Sequence, residues 1–249
     1  MRAVTAGLGA LEALARPGEG RVLASFPKAC YLQLPAGLVA LVGPGAQQGP
    51  IHLTLDGFLP AVPSGDRVSV SPDGVMVGDG RVDLSGVRQW RGELPPPDRV
   101  SEARPLVLDA LSGVAARCLV PPARAAVARE RVSRDDLEGA AVALAGAGPG
   151  LTPAGDDALA GILFACRALG CDADLVAIAR SARTTTLSGA FLLWAARGQA
   201  LASVHALLEA AAAGDARGAA SAAASLGSVG HSSGADFAWG LCLGSAGRG

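Results

Sequence analysis

The run Gly146-Ala147-Gly148-Pro149-Gly150-Leu151-Thr152-Pro153-Ala154-Gly155-Asp156-Asp157 sets four glycines, a Thr-Pro step and two adjacent carboxylates directly before an apolar helical pattern. Glycines let backbone N–H groups approach an anion closely, and a helix N-terminus adds unpaired donors and partial positive charge. The common nucleotide loops do not match. No lysine follows as in the Walker pattern, and Leu151 stands where a G-x-G-x-x-G run begun at Gly146 needs its last glycine. The chemistry expected here is the cradling of a small anion by Gly148, Gly150 and Thr152. Asp156 or Asp157 would act as a base, a positioning group or a foothold for magnesium.

Two more polar helix starts follow. In Gly230-His231-Ser232-Ser233-Gly234-Ala235-Asp236, His231 is the candidate proton carrier, imidazole being the side chain suited to acid-base work near neutrality. Ser232, Ser233 and Asp236 are candidate substrate ligands, and magnesium would draw on Asp156, Asp157 and Asp236. In Arg183-Thr184-Thr185-Thr186-Leu187-Ser188-Gly189, Thr185 and Ser188 are candidate ligands. Arg183 is a bidentate clamp for carboxylate or phosphate if this start faces the other two.

Each start also has an architectural reading. Thr152 is expected as an N-cap with Pro153 at the first helical position, where a missing N–H costs nothing. Ser233-x-x-Asp236 approximates a capping box with Asp in place of Glu or Gln, and Ser133-x-x-Asp136 uses the same device without a glycine setting. First-turn aspartates complement the helix dipole. Capping alone does not call for Gly146, Gly148 and Gly150. His52, in a strand-like run, and His205, in a helical one, lack such company and read as incidental.

The elements that must carry these residues fall into two halves. Short apolar or alternating runs at 21–26, 30–34, 38–42, 51–55, 67–70, 75–77, 81–84 and 87–90 read as strands. Asp56-Gly57, Ser64-Gly65, Asp73-Gly74 and Asp79-Gly80 supply turns. This half predicts a small β-sandwich or barrel. Pro95-Pro96-Pro97 is expected to stop any regular element and to mark a domain boundary, giving domains 1–97 and 98–249. Beyond it the period turns helical, with helices expected at 105–119, 124–131, 134–144, 156–169, 173–181, 186–197, 200–213, 215–226 and 233–243. The fold class is therefore α+β: a β-rich domain, then an Ala/Gly-rich helical bundle. Leu159, Ile162, Leu163, Cys166 and Leu169 form a stripe on a helix whose other face is largely Ala and Gly, so that helix is expected to be central.

Composition excludes several function classes. With 21 basic and 22 acidic residues and no cluster of either basic type, nothing marks a nucleic-acid surface. Lys28 is the only lysine, so a Schiff base or a phosphate-loop lysine has no other candidate. The N-terminus does not read as a signal peptide, since Glu12, Arg16 and Glu19 interrupt it, and no uncharged apolar run has transmembrane length. Cys30, Cys118, Cys166, Cys171 and Cys242 are an odd, scattered set that fits reduced thiols and a cytoplasmic address.

Residues 150–161, Gly-Leu-Thr-Pro-Ala-Gly-Asp-Asp-Ala-Leu-Ala-Gly, together with Gly-His-Ser-Ser-Gly-Ala-Asp at 230–236, resemble the small-subunit family of oxamate carbamoyltransferase. The Thr-Thr-x-x-Ser run ending at Ser188 fits the same pattern, and the resemblance is strongest from Gly146 onward. The family commonly carries Ser where this chain has Ala154, so a hydroxyl role there is absent. The resemblance implies a protein of purine and allantoin breakdown working with larger subunits, one similar to acyl-CoA synthetases. It implies phosphorolysis of oxalurate to oxamate and carbamoyl phosphate, or the reverse. Two other readings stand beside it: a non-catalytic anion-binding or scaffold subunit, and a stand-alone magnesium-dependent kinase or hydrolase of a small acid.

Overall fold

The computed structural model describes residues 1–57, 62–72 and 74–246, and separates into two compact units, Met1–Gly92 and Glu93–Gly249. Asp73, expected in a turn, lies outside the described residues. The architecture is α+β: a curled sheet in the first unit, helices in the second.

The first unit holds β1 (Ala3–Gly7), α1 (Leu8–Leu14), β2 (Gly18–Phe26), β3 (Ala29–Leu34), β4 (Gly37–Val42), β5 (His52–Leu55), β6 (Arg67–Ser71), β7 (Gly74–Val77), β8 (Gly80–Val82) and β9 (Arg88–Trp90). They form one sheet in the order β8-β7-β6-β2-β3-β4-β5-β1-β9, mostly antiparallel, with β4–β5 and β1–β9 parallel. Just past β8, Asp83 accepts from Ala3 N–H at 2.8 Å and donates to the Met1 carbonyl at 2.9 Å. Those bonds join one edge of the sheet to β1 and make it barrel-like, which removes open edges that would otherwise template aggregation. Alternation along β3 buries Cys30, Leu32 and Leu34, and Val22, Leu53 and Val68 meet them in the same core.

β1 and α1 were not expected from the sequence. Ala3–Gly7 buries only the small residues Ala3, Ala6 and Gly7, without the large alternating apolar residues that announce a strand, and α1 is only seven residues long. Gly7 makes the junction because a side chain there would meet the Gly49 carbonyl at 2.1 Å, and Gly9 and Ala10 then donate to the Pro50 carbonyl.

The second unit contains α2 (Pro97–Ala115), α3 (Pro122–Ser133), α4 (Leu137–Leu144), α5 (Ala154–Ala168), α6 (Leu175–Ser181), α7 (Thr186–Ala196), α8 (Ala202–Ala212), α9 (Ala216–Gly227) and α10 (Ser233–Ala246). The proline run does not stop regular structure: Pro97 opens α2, its missing N–H falling where no ladder bond is due, and Pro105 sits inside that helix. The buried stripe Val100, Ala103, Val107, Leu111 supports the eight residues added before Pro105. Ser133 is likewise not a cap. It ends α3, bonding the Glu130 carbonyl, while Asp136 caps α4 by accepting from Gly139 N–H at 2.7 Å.

α5 is buried almost all round, with Leu159, Ile162, Leu163 and Phe164 at 0% exposure, and it packs along α10. Glycines make that approach possible. A side chain at Gly161 would meet the Phe237 carbonyl at 2.2 Å, one at Gly240 the Ala158 carbonyl at 1.8 Å, and one at Gly244 the Ile162 backbone at 3.0 Å. Contacts advance together along both helices, so α5 and α10 run parallel and start at the same end. No helix among the described residues is long and apolar enough to cross a membrane.

Candidate functional site

The loop between α4 and α5 is built on left-handed glycines: φ is 68° at Gly146, 125° at Gly148 and 93° at Gly150. At Gly150 nothing lies within 4 Å of an added side chain, so backbone conformation and not space selects glycine there. Gly155 is selected by space, since a side chain would meet the Leu144 carbonyl at 2.1 Å, and its N–H donates to Ala147 O at 2.8 Å. Pro153, not Thr152, is the N-cap residue of α5. The Thr-Pro step therefore shifts the helix start by one residue. It leaves the Thr152 hydroxyl free to face Ser233 Oγ at 3.4 Å, at the start of α10.

Asp156 fastens this loop to the start of α7. One carboxylate oxygen accepts from Gly146 N–H at 2.7 Å and the other from the Thr184 hydroxyl. The residue is 2% exposed. The Leu151 carbonyl receives the Thr185 hydroxyl at 2.6 Å and the Ser188 hydroxyl at 3.3 Å, while Thr185 also caps α7 through Ser188 N–H at 3.0 Å. Arg183 is exposed, and its carbonyl lies 3.2 Å from where a Gly146 side chain would begin.

The third start meets the first through Asp157. One turn before Gly161, Asp157 lies on the α5 face that packs on α10; Asp236, one turn before Gly240, lies on the reciprocal face. Burial lifts the Asp157 carboxyl well above the usual range. Ser233 beside it works the other way, and the charges of Asp236 and Asp156 add to the rise. Burial also raises Asp236, which is 0% exposed, with Leu119 N–H, Ser232 and Val120 N–H partly offsetting it. Asp236 Oδ1 accepts from Leu119 N–H at 2.6 Å, so the carboxyl does not close a capping box. Asp157 Oδ2 and Asp236 Oδ2 are buried without a hydrogen-bond partner. Gly230 has φ 61°, Ser232 and Ser233 are half-buried, and His231 is exposed.

The structure thus brings Gly146, Thr152, Asp156, Asp157, Thr185, Ser188, Ser233 and Asp236 into one hydrogen-bonded or electrostatically linked neighbourhood, with Gly148 and Gly150 in the loop between Gly146 and Thr152. Among the described residues, the N–H groups of Gly148, Gly150, Leu151 and Thr152, and those of His231, Ser232 and Ser233, donate to no protein group. Such donors, at the common end of two parallel helices, favour an anion. Asp156 spends both oxygens on Gly146 and Thr184, and no group of three His, Cys, Asp or Glu side chains among the described residues can hold a metal ion.

Thr184 and the Leu119 and Val120 N–H groups escaped the sequence reading. Thr184 stood inside the threonine run, whereas Leu119 lies 117 residues from Asp236 with no local signal joining them. His52 and His205 are structural: His52 Nδ1 pairs with the Gln47 carbonyl at 2.8 Å. His205 accepts from Ala200 N–H through Nε2 at 3.1 Å and pairs with the Glu93 carbonyl through Nδ1 at 2.9 Å. Burial lowers the pKa of both.

Residues 144–245, the span containing all three helix starts, match the family model described as oxamate carbamoyltransferase subunit AllH. No curated protein and no solved structure matches the chain.

Proposed function

We propose that this chain is a subunit of a carbamoyltransferase interconverting oxalurate plus phosphate with oxamate plus carbamoyl phosphate. The observation that carries the reading is the linkage of three helix starts around backbone donors that no group among the described residues accepts from. Every reactant and product is a small anion. In the forward direction a phosphate oxygen attacks the carbamoyl carbon, the bond from that carbon to the oxamate nitrogen breaks, and the nitrogen gains a proton as oxamate leaves. Helix-start N–H groups aimed at the charge developing on the carbamoyl oxygen would lower the barrier.

The residues divide the work on this reading. Gly148, Gly150 and Thr152 cradle phosphate, Arg183 clamps a carboxylate, and Ser232 and Ser233 hold the ligand at the α10 start. Thr185, Ser188 and Asp156 are positioning residues, because their polar groups are spent on Leu151, Gly146 and Thr184. Asp157 handles the carbamoyl end and His231 moves the proton. No step is routed through magnesium. His231 is exposed, which favours a site completed by larger subunits, one of them acyl-CoA-synthetase-like, in a cytoplasmic complex. The same exposure is what a non-catalytic anion-binding subunit would display.

The test is carbamoyl phosphate formation from oxalurate and phosphate by the complex reassembled with its partner subunits. His231→Ala should lower kcat by about 10²–10⁴-fold with assembly intact. Full turnover by that variant and by Asp157→Ala would leave the chain a scaffold.

A further inference from the structure

We propose that Asp157 and Asp236 form the amide-recognising half of the site, a carboxyl pair between the first turns of α5 and α10 that takes the NH₂ end of a small acid. Its carboxylate or phosphate occupies the glycine loop, so the inference rests on the anion site proposed above.

Two buried carboxyl oxygens, Asp157 Oδ2 and Asp236 Oδ2, have no hydrogen-bond partner, and Asp236 is wholly enclosed. Buried polar atoms are almost always paired, so an unpaired couple at a shared helix start calls for a donor from outside the chain. Ligand chemistry follows from what surrounds them. A pure anion finds donors at the loop but brings no N–H to the two carboxyl oxygens of this pair that lack a partner. A cation finds no third carboxylate, histidine or cysteine ligand among the described residues, since Asp156 is committed to Gly146 and Thr184. A molecule with an anionic group at one end and amide N–H groups at the other satisfies both. An uncharged carboxyl offers one donor and one acceptor, the complement of a primary amide. The rise in the Asp157 pKa from burial, with Asp236 and Asp156 as its facing charges, is consistent with that form. Ser233 and Thr152 supply the neutral polar surroundings.

The probes are oxamate, oxalate and phosphate, titrated calorimetrically into the full chain. Oxalate keeps the carboxylates and lacks the amide. Oxamate should bind at least about tenfold more tightly than oxalate, because the analogue leaves buried acceptors unpaired. Asp157→Asn should keep the preference, since Asn presents the same donor and acceptor. Asp157→Ala should abolish it while still binding phosphate, which also shows that the variant is folded. Equal affinity for oxamate and oxalate would overturn the inference and leave the anion site standing if phosphate binds. Loss of the preference in Asn as well as Ala would show a requirement for charge and would also overturn it. Failure of all three probes to bind would overturn both readings.

Discussion

Asp156 and Asp157 are neighbours of the same type with opposite structural roles, and removing the first should be costly. In Asp156→Ala the Gly146 N–H and the Thr184 hydroxyl both lose their acceptor in a site that is 2% exposed. Hydrogen bonds to charged groups contribute roughly 1.5–3 kcal/mol each, so the loss is about 3–6 kcal/mol. For a chain of this size each kcal/mol shifts Tm by roughly 2–4 °C, giving a fall on the order of 10 °C. Asp156→Asn keeps one acceptor for Gly146, and the Thr184 hydroxyl can rotate to accept from the new amide, so it should cost about 1–2 kcal/mol. Urea denaturation with a common m-value, together with calorimetric melting, measures both. An Asp156→Ala variant within about 0.5 kcal/mol of wild type would refute the view that this carboxylate fastens the loop to α7.

Asp157→Asn should raise Tm at neutral pH. The folded-state pKa of Asp157 is raised, so its unfolded form releases a proton first as pH rises; wild-type stability is full below the ordinary Asp value of 3.8 and falls as pH climbs through the folded value. The gain should vanish near pH 3, and a variant less stable than wild type at pH 7.5 contradicts this. The lowered pKa of His205 has the opposite sense: its stability contribution is complete above about 6.5 and is lost as pH falls through the folded value, so the Tm gap between wild type and His205→Gln should narrow from pH 7.5 to 5. Gly240→Ala should cost at least about 3 kcal/mol, the upper range for overpacking, because its Cβ would stand 1.8 Å from a backbone carbonyl; denaturation near the wild-type midpoint would refute the close α5–α10 approach. Gly148→Ala, with φ at 125° and a contact of 3.0 Å to Ala154 N, should weaken phosphate binding at least about tenfold by calorimetry.

What could be read beforehand followed from physics that is local in sequence. Apolar period and turn dipeptides announced most strands and the later helices, because each signal lies within a few residues. β1 and α1 stayed hidden because Ala3–Gly7 packs by small size and α1 is held by the Pro50 carbonyl, a contact over forty residues away. Pro97 misled because the same ring that breaks a helix interior also starts one. At the site, the glycine loop and the hydroxyl runs were legible by composition. The division between Asp156 and Asp157 was not, since it depends on Thr184, Ser233 and Asp236 arriving from other helices. Gly240-x-x-x-Gly244 did carry a readable small-residue signal for close helix packing.

The most direct test of the central claim is a phosphate titration followed by amide ¹H–¹⁵N correlation spectra of the full chain. Saturable shifts are expected to concentrate at Gly148, Gly150, Leu151 and Thr152 and at His231 to Ser233, whose N–H groups donate to no group among the described residues. Saturable shifts elsewhere with these amides unmoved, or no saturable shift at all, would contradict that claim.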